Sequence, residues 1–243
     1  MTTSGTYLYS PSLGELTLYA FNLCGLRNTA LVQEHIQSAR TATNLMLARW
    51  SNQGVNLWAV DLVTVPLVQG QSTYDVPVDT VMILDAYITI ASGNSNTDRI
   101  ILPVSRTEYA SYPNKQQQGF PTTYWFDRLS GLTPAGGPTA GVQQTPTLSL
   151  WPVPDGGEAT TLKYYRVRRL QDANFASGQQ PEVPYLWLEA FAYGLALRLA
   201  QIWNPQMMQT LKPLSDEAYQ IAADQNTEYA SQYISPQIQG YFR

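Results

Sequence analysis

The spacing of apolar residues changes twice along this chain, and this change constrains the fold more than any other feature. Up to about Gln53 the apolar residues recur at three- or four-residue steps, as on one face of a helix. From Leu57 to about Asp172 they alternate with polar residues, many are β-branched, and Pro and Gly separate the short runs. Helical spacing returns at Pro184. The order helix, strand, helix predicts an α+β protein.

Two helices are predicted in the N-terminal region. The first covers Leu13 to Leu26, and the second follows Asn28, a residue type that often caps helix N-termini. Gly54 then ends the second helix, which has about six turns. Its apolar face consists of Val32, Ile36, Ala39, Met46 and Trp50, with Thr43 at one step. This helix is therefore predicted to be amphipathic.

Seven short strands are predicted between Leu57 and Asp172. They cover Val60 to Val65, Thr73 to Val76, Met82 to Ile90, Ile100 to Val104, Thr123 to Arg128, Thr147 to Trp151 and Thr161 to Arg169. Turns are expected at Gln69-Gly70, Gly93-Asn94, Pro134 to Gly141 and Asp155-Gly156-Gly157. So many short strands favour a small antiparallel sandwich or barrel.

Two further helices are predicted from Pro184, which suits a first helical position. The first of them is apolar nearly all round as far as Trp203, so it should be enclosed on several sides. Asn204-Pro205 breaks it, and the second runs from about Pro213 to Tyr229. On the second helix one face carries Ala218, Ile221, Ala222, Gln225 and Tyr229, and another carries Glu217, Asp224 and Glu228.

The terminal helices can pack together only if the strands form an insertion whose two ends lie close. We therefore predict an α-helical bundle from residues 1–55 and 180–230, with an inserted antiparallel β-domain at residues 56–179. Residues 231–243, here called the C-terminal segment, contain Pro236 and Gly240 and are predicted to be extended.

Composition restricts the class of partner. Charged residues make up 13% of the chain, against roughly 25% in a typical soluble domain. Sixteen Tyr and six Trp residues suit extensive contact with other proteins, although the same side chains also suit a core. The net charge of −4 argues against a protein that grips nucleic acid. A secretory signal and a membrane-spanning apolar run are both absent from the sequence, so a protein made and used in the cytoplasm is expected.

The residues that could perform catalysis or bind a metal are few and scattered. The single histidine, His35, lies within a predicted helix, which favours a surface or interface role over that of a general base. The single cysteine, Cys24, is interpreted as a small buried thiol. Four acidic residues lack the spacing of a calcium loop and are interpreted as turn-forming or solvated: Asp61, Asp75, Asp79 and Asp85.

Pairs of carboxylates could in principle cleave a glycosidic bond. Glu182 with Glu189, and Asp216 with Glu217, are the available pairs, and helix capping and solvation explain them with fewer assumptions. We therefore expect no catalytic residue, no cofactor and no metal ligand in this chain.

One basic cluster occupies the last predicted strand. In a strand Arg166 and Arg168 project to one face and Lys163 and Arg169 to the other, so the positive charge is divided. Nucleic-acid binding is therefore not favoured. A charged edge strand that resists unwanted pairing, or salt bridges to a neighbouring subunit, explain the cluster at least as well.

Several short stretches between residues 39 and 169 occur in a characteristic order. They are Ala39-Arg40-Thr41-Ala42-Thr43-Asn44-Leu45-Met46-Leu47 through Trp50, Gly54-Val55-Asn56-Leu57-Trp58, Pro113-Asn114-Lys115, Gln118-Gly119-Phe120-Pro121, Tyr124-Trp125 with Asp127-Arg128, Leu150-Trp151-Pro152-Val153-Pro154, and Tyr164-Tyr165-Arg166-Val167-Arg168-Arg169. With the apolar helix that follows, this order resembles the head-to-tail adaptors of tailed bacteriophages, also described as connector or tail tubular A proteins.

The resemblance implies a structural virion protein rather than an enzyme. It implies a ring of about twelve copies below the portal protein, which extends the DNA channel and helps to retain packaged DNA. It also implies a platform for the tail nozzle, tail tubular B or tail fibre proteins, assembled in the cytoplasm of the host bacterium. Double-stranded DNA would pass through without specific binding. Two alternatives are another head- or tail-completion protein and a tail-associated cell-wall hydrolase.

Two sets of residues are candidates for contacts in such an assembly. The C-terminal segment is too apolar for a simple spacer and is predicted to become ordered on a neighbour such as the portal. The candidate interface residues are Tyr233, Ile234, Ile238, Tyr241 and Phe242, together with Arg166 and Arg168. The acidic residues Glu217, Asp224 and Glu228 are candidates to face the channel, where like charge would keep DNA from sticking, or they form an ordinary solvated helix face.

Overall fold

The computed structural model describes residues 3, 5–54, 56–92, 95–128, 144–157, 159–175 and 178–227. Within these ranges the protein is a mixed α+β fold with five α-helices and one seven-stranded sheet. The chain divides into two compact units. Met1–Met46 with Ala173–Arg243 form the helical unit, and Leu47–Asp172 form the β unit.

The helices occupy both ends of the chain and one position between strands. They are α1 (Leu13–Leu23), α2 (Gln33–Gln53), α3 (Arg106–Ser111), α4 (Leu188–Trp203) and α5 (Met208–Gln225). Short 3-10 turns lie at Asn28–Ala30, Leu57–Ala59, Tyr185–Trp187 and Pro205–Met207. The short helix α3 has no counterpart among the predicted elements.

Local side-chain chemistry determines where the N-terminal helices begin. At α1, the hydroxyl of Ser12 accepts a hydrogen bond from the Glu15 backbone N–H, and the Glu15 carboxylate accepts one from the Ser12 N–H, at 3.2 and 2.8 Å. The predicted cap at Asn28 was wrong, because Asn28 begins a 3-10 turn and α2 begins at Gln33. There Nδ1 of His35 accepts a hydrogen bond from the Val32 N–H at 3.2 Å, which satisfies a donor at the helix start.

Helix α4 forms the centre of the helical unit and packs against both α1 and α5. Phe191, Leu195 and Leu199 are completely buried, which confirms that this apolar helix is enclosed on several sides. Two hydrogen bonds join its far end to the loop after α1. Cys24 Sγ donates to the Ala196 carbonyl at 3.0 Å, and Asn204 Nδ2 donates to the Cys24 carbonyl at 2.8 Å.

Helix α5 differs from its predicted form in two respects. It begins at Met208 rather than Pro213, because the 3-10 turn at Pro205–Met207 leads directly into it. Pro213 lies inside the helix, where it lacks only the N–H that would bond one turn back. Ala218 and Ala222 are buried, whereas Ile221, which was predicted to share their face, is 60% exposed.

The seven strands lie where they were predicted, with bounds β1 (Val60–Pro66), β2 (Thr73–Asp75), β3 (Thr80–Ser92), β4 (Ser95–Pro103), β5 (Thr123–Asp127), β6 (Thr147–Trp151) and β7 (Ala159–Arg168). Their order across the sheet is β1-β7-β3-β4-β5-β6-β2. The prediction of an entirely antiparallel sheet was wrong at one place. β4 and β5 pair in parallel through Leu102 with Thr123 and Pro103 with Tyr124.

The sheet curls into a half-barrel, so the predicted sandwich or closed barrel is not formed. Tyr74 of the terminal strand β2 and Leu162 of β7, far apart in strand order, are buried in the same apolar core. Backbone hydrogen bonds from Leu67 N–H to the Thr160 carbonyl and from Gly70 N–H to the Pro154 carbonyl join the segment before β2 to the two ends of the β6–β7 connection. A single sheet brings such distant strands onto one core only by curling.

Two of the four predicted turns lie within the described residues. Gln69-Gly70 and Asp155-Gly156-Gly157 are turns or bends, and Gly70 and Gly156 have positive φ angles of 76° and 75°. The predicted turns at Gly93-Asn94 and Pro134 to Gly141 lie outside the described residues.

Candidate interaction surfaces

Several of the residues that carry the resemblance to phage adaptors interlock within the β unit. Trp151 Nε1 donates a hydrogen bond to the Asn114 carbonyl at 3.0 Å. Backbone hydrogen bonds join Gly119 N–H to the Val153 carbonyl at 2.8 Å and Val153 N–H to the Gln117 carbonyl at 2.9 Å. These stretches therefore contribute to one structural assembly, and their contacts in the described structure are structural.

Aromatic stacking holds α3 against the sheet beside this assembly. Tyr112 stacks on Trp151 with ring centroids 4.2 Å apart, and Tyr109 stacks on Trp125 at 5.4 Å. The ammonium of Lys115 lies 5.9 Å from the centre of the Tyr109 ring and adds a cation–π contact. These contacts pack α3 onto the strands β5 and β6.

The basic cluster on β7 does not form an edge strand. β7 lies between β1 and β3, so the prediction of a charged edge that resists pairing was wrong. Arg166 and Arg168 do share a face, as strand alternation requires, but that face is turned toward acidic residues of the same unit. Alternation along one strand cannot reveal which strands flank it.

Arg166 is a buried residue, 8% exposed, whose guanidinium group holds together three segments of the β unit. Its Nε lies 2.7 Å from Asp61 Oδ1, and its Nη1 lies 2.6 Å from Asp79 Oδ1 and 2.8 Å from Thr80 Oγ1. Asp61 stands directly opposite Arg166 in the β1–β7 register. Asp61 and Asp79 are partly exposed, as solvated residues would be, but both also pair with Arg166, which the sequence interpretation did not include. Arg166 is buried, and its contact with another subunit stays a prediction.

The electrostatics of this cluster favour the charged forms. Burial acts to raise the pKa of Asp79, but the hydrogen bond and positive charge of Arg166 outweigh burial and leave the pKa below its ordinary value of 3.8. Burial acts to lower the pKa of Arg166, and the two aspartates reverse this and raise it. The charged form of each group is thus favoured by the other.

Arg168 remains a candidate for contact with another protein. Its side chain is 22% exposed, and its Nε lies 3.9 Å from Asp61 Oδ2, which makes only a weak ion pair. Whether it contacts a neighbouring subunit stays a prediction.

Two of the three candidate channel residues lie on the outside of α5. Glu217 and Asp224 are exposed and are separated by two helical turns, so they project from one side of the helix. Gln220 Nε2 donates a hydrogen bond to Asp224 Oδ1 at 2.9 Å. Glu228 lies outside the described residues, and so do the candidate interface residues Tyr233, Ile234, Ile238, Tyr241 and Phe242.

The helical unit contains an open aromatic groove that no sequence pattern indicated. Its volume is about 610 Å³, and it lies between the N-terminal arm, α1, the start of α4 and the end of α5. The most exposed apolar lining residues are Tyr9, Tyr19, Tyr185, Leu186 and Ile221. The groove was missed because its lining comes from three stretches of chain that are far apart in sequence. Ile221, which was predicted to share a face with Ala218 and Ala222, is exposed and lines this groove.

Two carboxylates and a pair of tyrosines give the groove its polar character. Glu15 and Glu189 line it and are exposed, with one oxygen of Glu15 already engaged at the start of α1. Burial raises the pKa of Tyr193, and its neighbours Tyr19 and Glu189 raise it further. The groove is thus apolar with a negative rim, which suits an apolar or aromatic segment that also carries a positive charge.

His35 and Cys24 are both engaged in packing. The His35 ring stacks on Trp203 with centroids 4.1 Å apart and meets the edge of Phe21 at 5.8 Å. Cys24 is completely buried, and burial raises the pKa of its thiol to about 11. Among the described residues, no three His, Cys, Asp or Glu side chains lie close enough to bind a metal ion together. The helices of the described part of the chain are all too short or too polar to span a membrane.

Comparison with known proteins gives one match and one negative result. The family model described as SU10 adaptor protein matches residues 23–239, which is most of the chain. No curated protein matches this sequence.

Proposed function

Because the chain belongs to the SU10 adaptor protein family, we propose that it joins the head to the tail of a phage particle as a ring of about twelve copies below the portal. The family match is the observation that carries this proposal, since it extends over residues of both units. The family match also agrees with the resemblance of this sequence to head-to-tail adaptors, which rests on the order of several short stretches. The site of action is the virion, after assembly in the cytoplasm of the host bacterium.

Exposed apolar side chains on α2 support lateral contacts between copies. On α2, Leu45 is 57% exposed and Ile36 is 37% exposed, and Val32, which directly precedes the helix, is 56% exposed. A concavity of about 500 Å³ lies beside Leu45 and is lined also by Gln37, Arg40 and Thr41. Surface of this mixed apolar and polar kind is typical of the contact between subunits of an oligomer.

We assign the two parts of the chain different tasks in this ring. The terminal helices form a bundle that makes the ring, since the N-terminal helix α1 and the C-terminal helix α5 both pack on α4. The inserted β-domain and the C-terminal segment reach the portal and the tail nozzle or fibre proteins. The exposed carboxylates Glu217 and Asp224 face the DNA channel and repel the phosphate backbone.

The proposed role is structural and not enzymatic. His35 is stacked on Trp203 and occupied at the start of α2, so it is poorly placed to act as a general base. The ring helps to retain packaged DNA by extending the channel, and it needs no cofactor for that task.

The oligomeric state with and without portal tests the proposal. We expect a monomer in sedimentation of the isolated protein, a ring of about twelve copies when portal is added, and the same ring below the portal in electron micrographs of virions. A different copy number in virions would instead identify another head- or tail-completion protein. A stable ring without portal would contradict the expected order of assembly.

A matched pair of variants tests which surface forms the ring. Leu45→Glu places a charge on the proposed contact surface of α2, and we expect it to prevent ring formation on the portal. Ile202→Glu is the control, because Ile202 is 55% exposed on α4, away from the proposed contact surface of α2 in sequence and element. Equal loss of rings in both variants would contradict the role given to α2. Activity of the wild-type protein on peptidoglycan would contradict the structural role itself.

A further inference from the structure

Exposed apolar side chains of the helical unit converge on the aromatic groove. Tyr9, Tyr185 and Leu186 are 70%, 67% and 62% exposed, and Ile221 is 60% exposed, although they gather around one concavity. Apolar side chains that converge on a groove, rather than being scattered singly, mark a binding surface. The carboxylates of Glu15 and Glu189 at its rim add a preference for positive charge.

The C-terminal segment has the matching chemistry. Five of its thirteen residues are large and apolar or aromatic: Tyr233, Ile234, Ile238, Tyr241 and Phe242. Its single charged side chain is that of Arg243, next to the aromatic pair Tyr241-Phe242. An arginine beside aromatic residues can pair with a rim carboxylate and also stack on the tyrosine rings of the groove.

The helix that precedes the C-terminal segment also lines the groove. Ile221 lines the groove and lies four residues before Gln225, where α5 ends. Thirteen extended residues span up to about 43 Å, so Tyr241 and Phe242 can reach the groove without any change in the helices. A tether this short gives an effective concentration of about 1 mM, far above that of a second copy in a dilute solution.

We propose that residues 231–243 occupy the aromatic groove of their own chain in the isolated protein. Tyr241 and Phe242 insert between the side chains of Tyr185, Leu186 and Ile221, and Arg243 lies at the carboxylate rim. This contact does not depend on the adaptor role. If the segment also binds a partner in the virion, it must first leave the groove.

Competition with a synthetic peptide tests the proposal on the full-length protein. The probe is a peptide of residues 231–243 with a fluorophore at its N-terminus, and the readout is fluorescence anisotropy. The wild-type protein is compared with the full-length double variant Tyr241→Ser/Phe242→Ser, whose own segment can no longer fill the groove. With an intrinsic dissociation constant of about 0.1 mM, the tethered segment weakens peptide binding about tenfold. We therefore expect the double variant to bind the peptide about tenfold more tightly than the wild type.

A matched pair of isoleucine variants shows whether the groove is the binding place. Ile221→Ser, added to the double variant, is expected to abolish most of the gain in peptide binding. Ile202→Ser is the control, because Ile202 is 55% exposed on α4 and does not line the groove. Circular dichroism confirms that each variant is folded, which the exposed positions of both residues favour.

Three results would overturn the proposal. One is equal peptide binding by the wild type and the double variant, whether weak or absent. Another is a gain in binding that survives Ile221→Ser. The third is self-association of the wild-type protein that the peptide reverses, since the segment would then occupy the groove of a second copy instead of its own.

Discussion

At the scale of single residues, the cluster around Arg166 shows how ion pairs and hydrogen bonds offset the desolvation free energy of a buried charged side chain. Its guanidinium donates to Asp61, Asp79 and Thr80, so the charge loses water but gains directed partners. Both aspartates keep more than two fifths of their side-chain surface exposed, which limits their own desolvation. The cluster therefore fixes β1, β7 and the start of β3 relative to one another.

Replacement of Arg166 should destabilise the β unit. We expect Arg166→Gln to lower the free energy of unfolding by about 2–3 kcal/mol, less than for a fully buried pair because the aspartates are partly solvated. Arg169→Gln is the control, because Arg169 is exposed on the same strand end, and we expect it to cost less than about 0.5 kcal/mol. Urea denaturation of both variants measures the difference, and similar costs would show that the ion pairs contribute little.

The same cluster predicts a specific loss of stability in acid. The pKa of Asp79 is lower in the folded protein than its ordinary value of 3.8, so its ionisation favours folding above that pH. As the pH falls below 3.8 and through the folded-state pKa, this contribution is lost. We expect the difference in unfolding free energy between the wild type and Asp79→Asn to be constant above about pH 5 and to narrow below pH 4. A difference that does not change down to pH 2.5 would contradict the depressed pKa.

At the scale of elements, periodicity predicted the type of almost every helix and strand but not how they pair. All seven strands were found because alternation and turn residues are local signals. The central place of β7 was missed because strand order depends on contacts between distant residues. Helix α3 was missed because six residues carry too little periodicity. The prediction of Asn28 as the N-cap of α2 was wrong because a good capping residue can equally begin a 3-10 turn.

The turn between β6 and β7 provides a test of local geometry. Gly156 has φ 75°, and a Cβ there would lie 2.9 Å from Cδ and 3.0 Å from Cβ of Gln69. We expect Gly156→Ala to lower the free energy of unfolding by about 1–2 kcal/mol. Gly157→Ala is the control, because a Cβ at Gly157 meets no atom closer than 3.5 Å and its φ is not positive. Thermal denaturation measures the stability of both variants. An equal loss of stability would show that the positive φ and close contact at Gly156 are not its cause.

At the scale of the whole molecule, the family membership and the exposed surface point to assembly, and the candidate surfaces came from different kinds of information. Sequence patterns alone nominated Glu217 and Asp224, and the structure finds both exposed. The aromatic groove could not be nominated in that way, because Tyr9, Tyr185 and Ile221 are brought together only by the fold. Arg166 was nominated by its charge but serves the interior of its own unit.

Charge reversal on α5 tests the proposed channel face. We expect the double variant Glu217→Lys/Asp224→Lys to have a free energy of unfolding within about 1 kcal/mol of the wild-type value, because both side chains are exposed. In virions it should slow DNA release, most strongly at low ionic strength, since the added lysines attract phosphate groups. Glu34→Lys/Asp85→Lys carries the same change in net charge on other exposed positions and serves as the control. Equal rates of DNA release from virions of both variants would contradict a channel-facing position of Glu217 and Asp224.

The position of β7 between β1 and β3 has a consequence for folding during translation. Val60 pairs with Val167, so β1 has no neighbour on that side until more than a hundred further residues have been made. At about 5–20 residues per second this delay lasts about 5–20 s. Helix α1 is synthesised still longer before its partner α4, which begins only at Leu188. The nascent chain therefore exposes apolar surface during most of its synthesis, and its yield should depend on the chaperones that meet emerging chains.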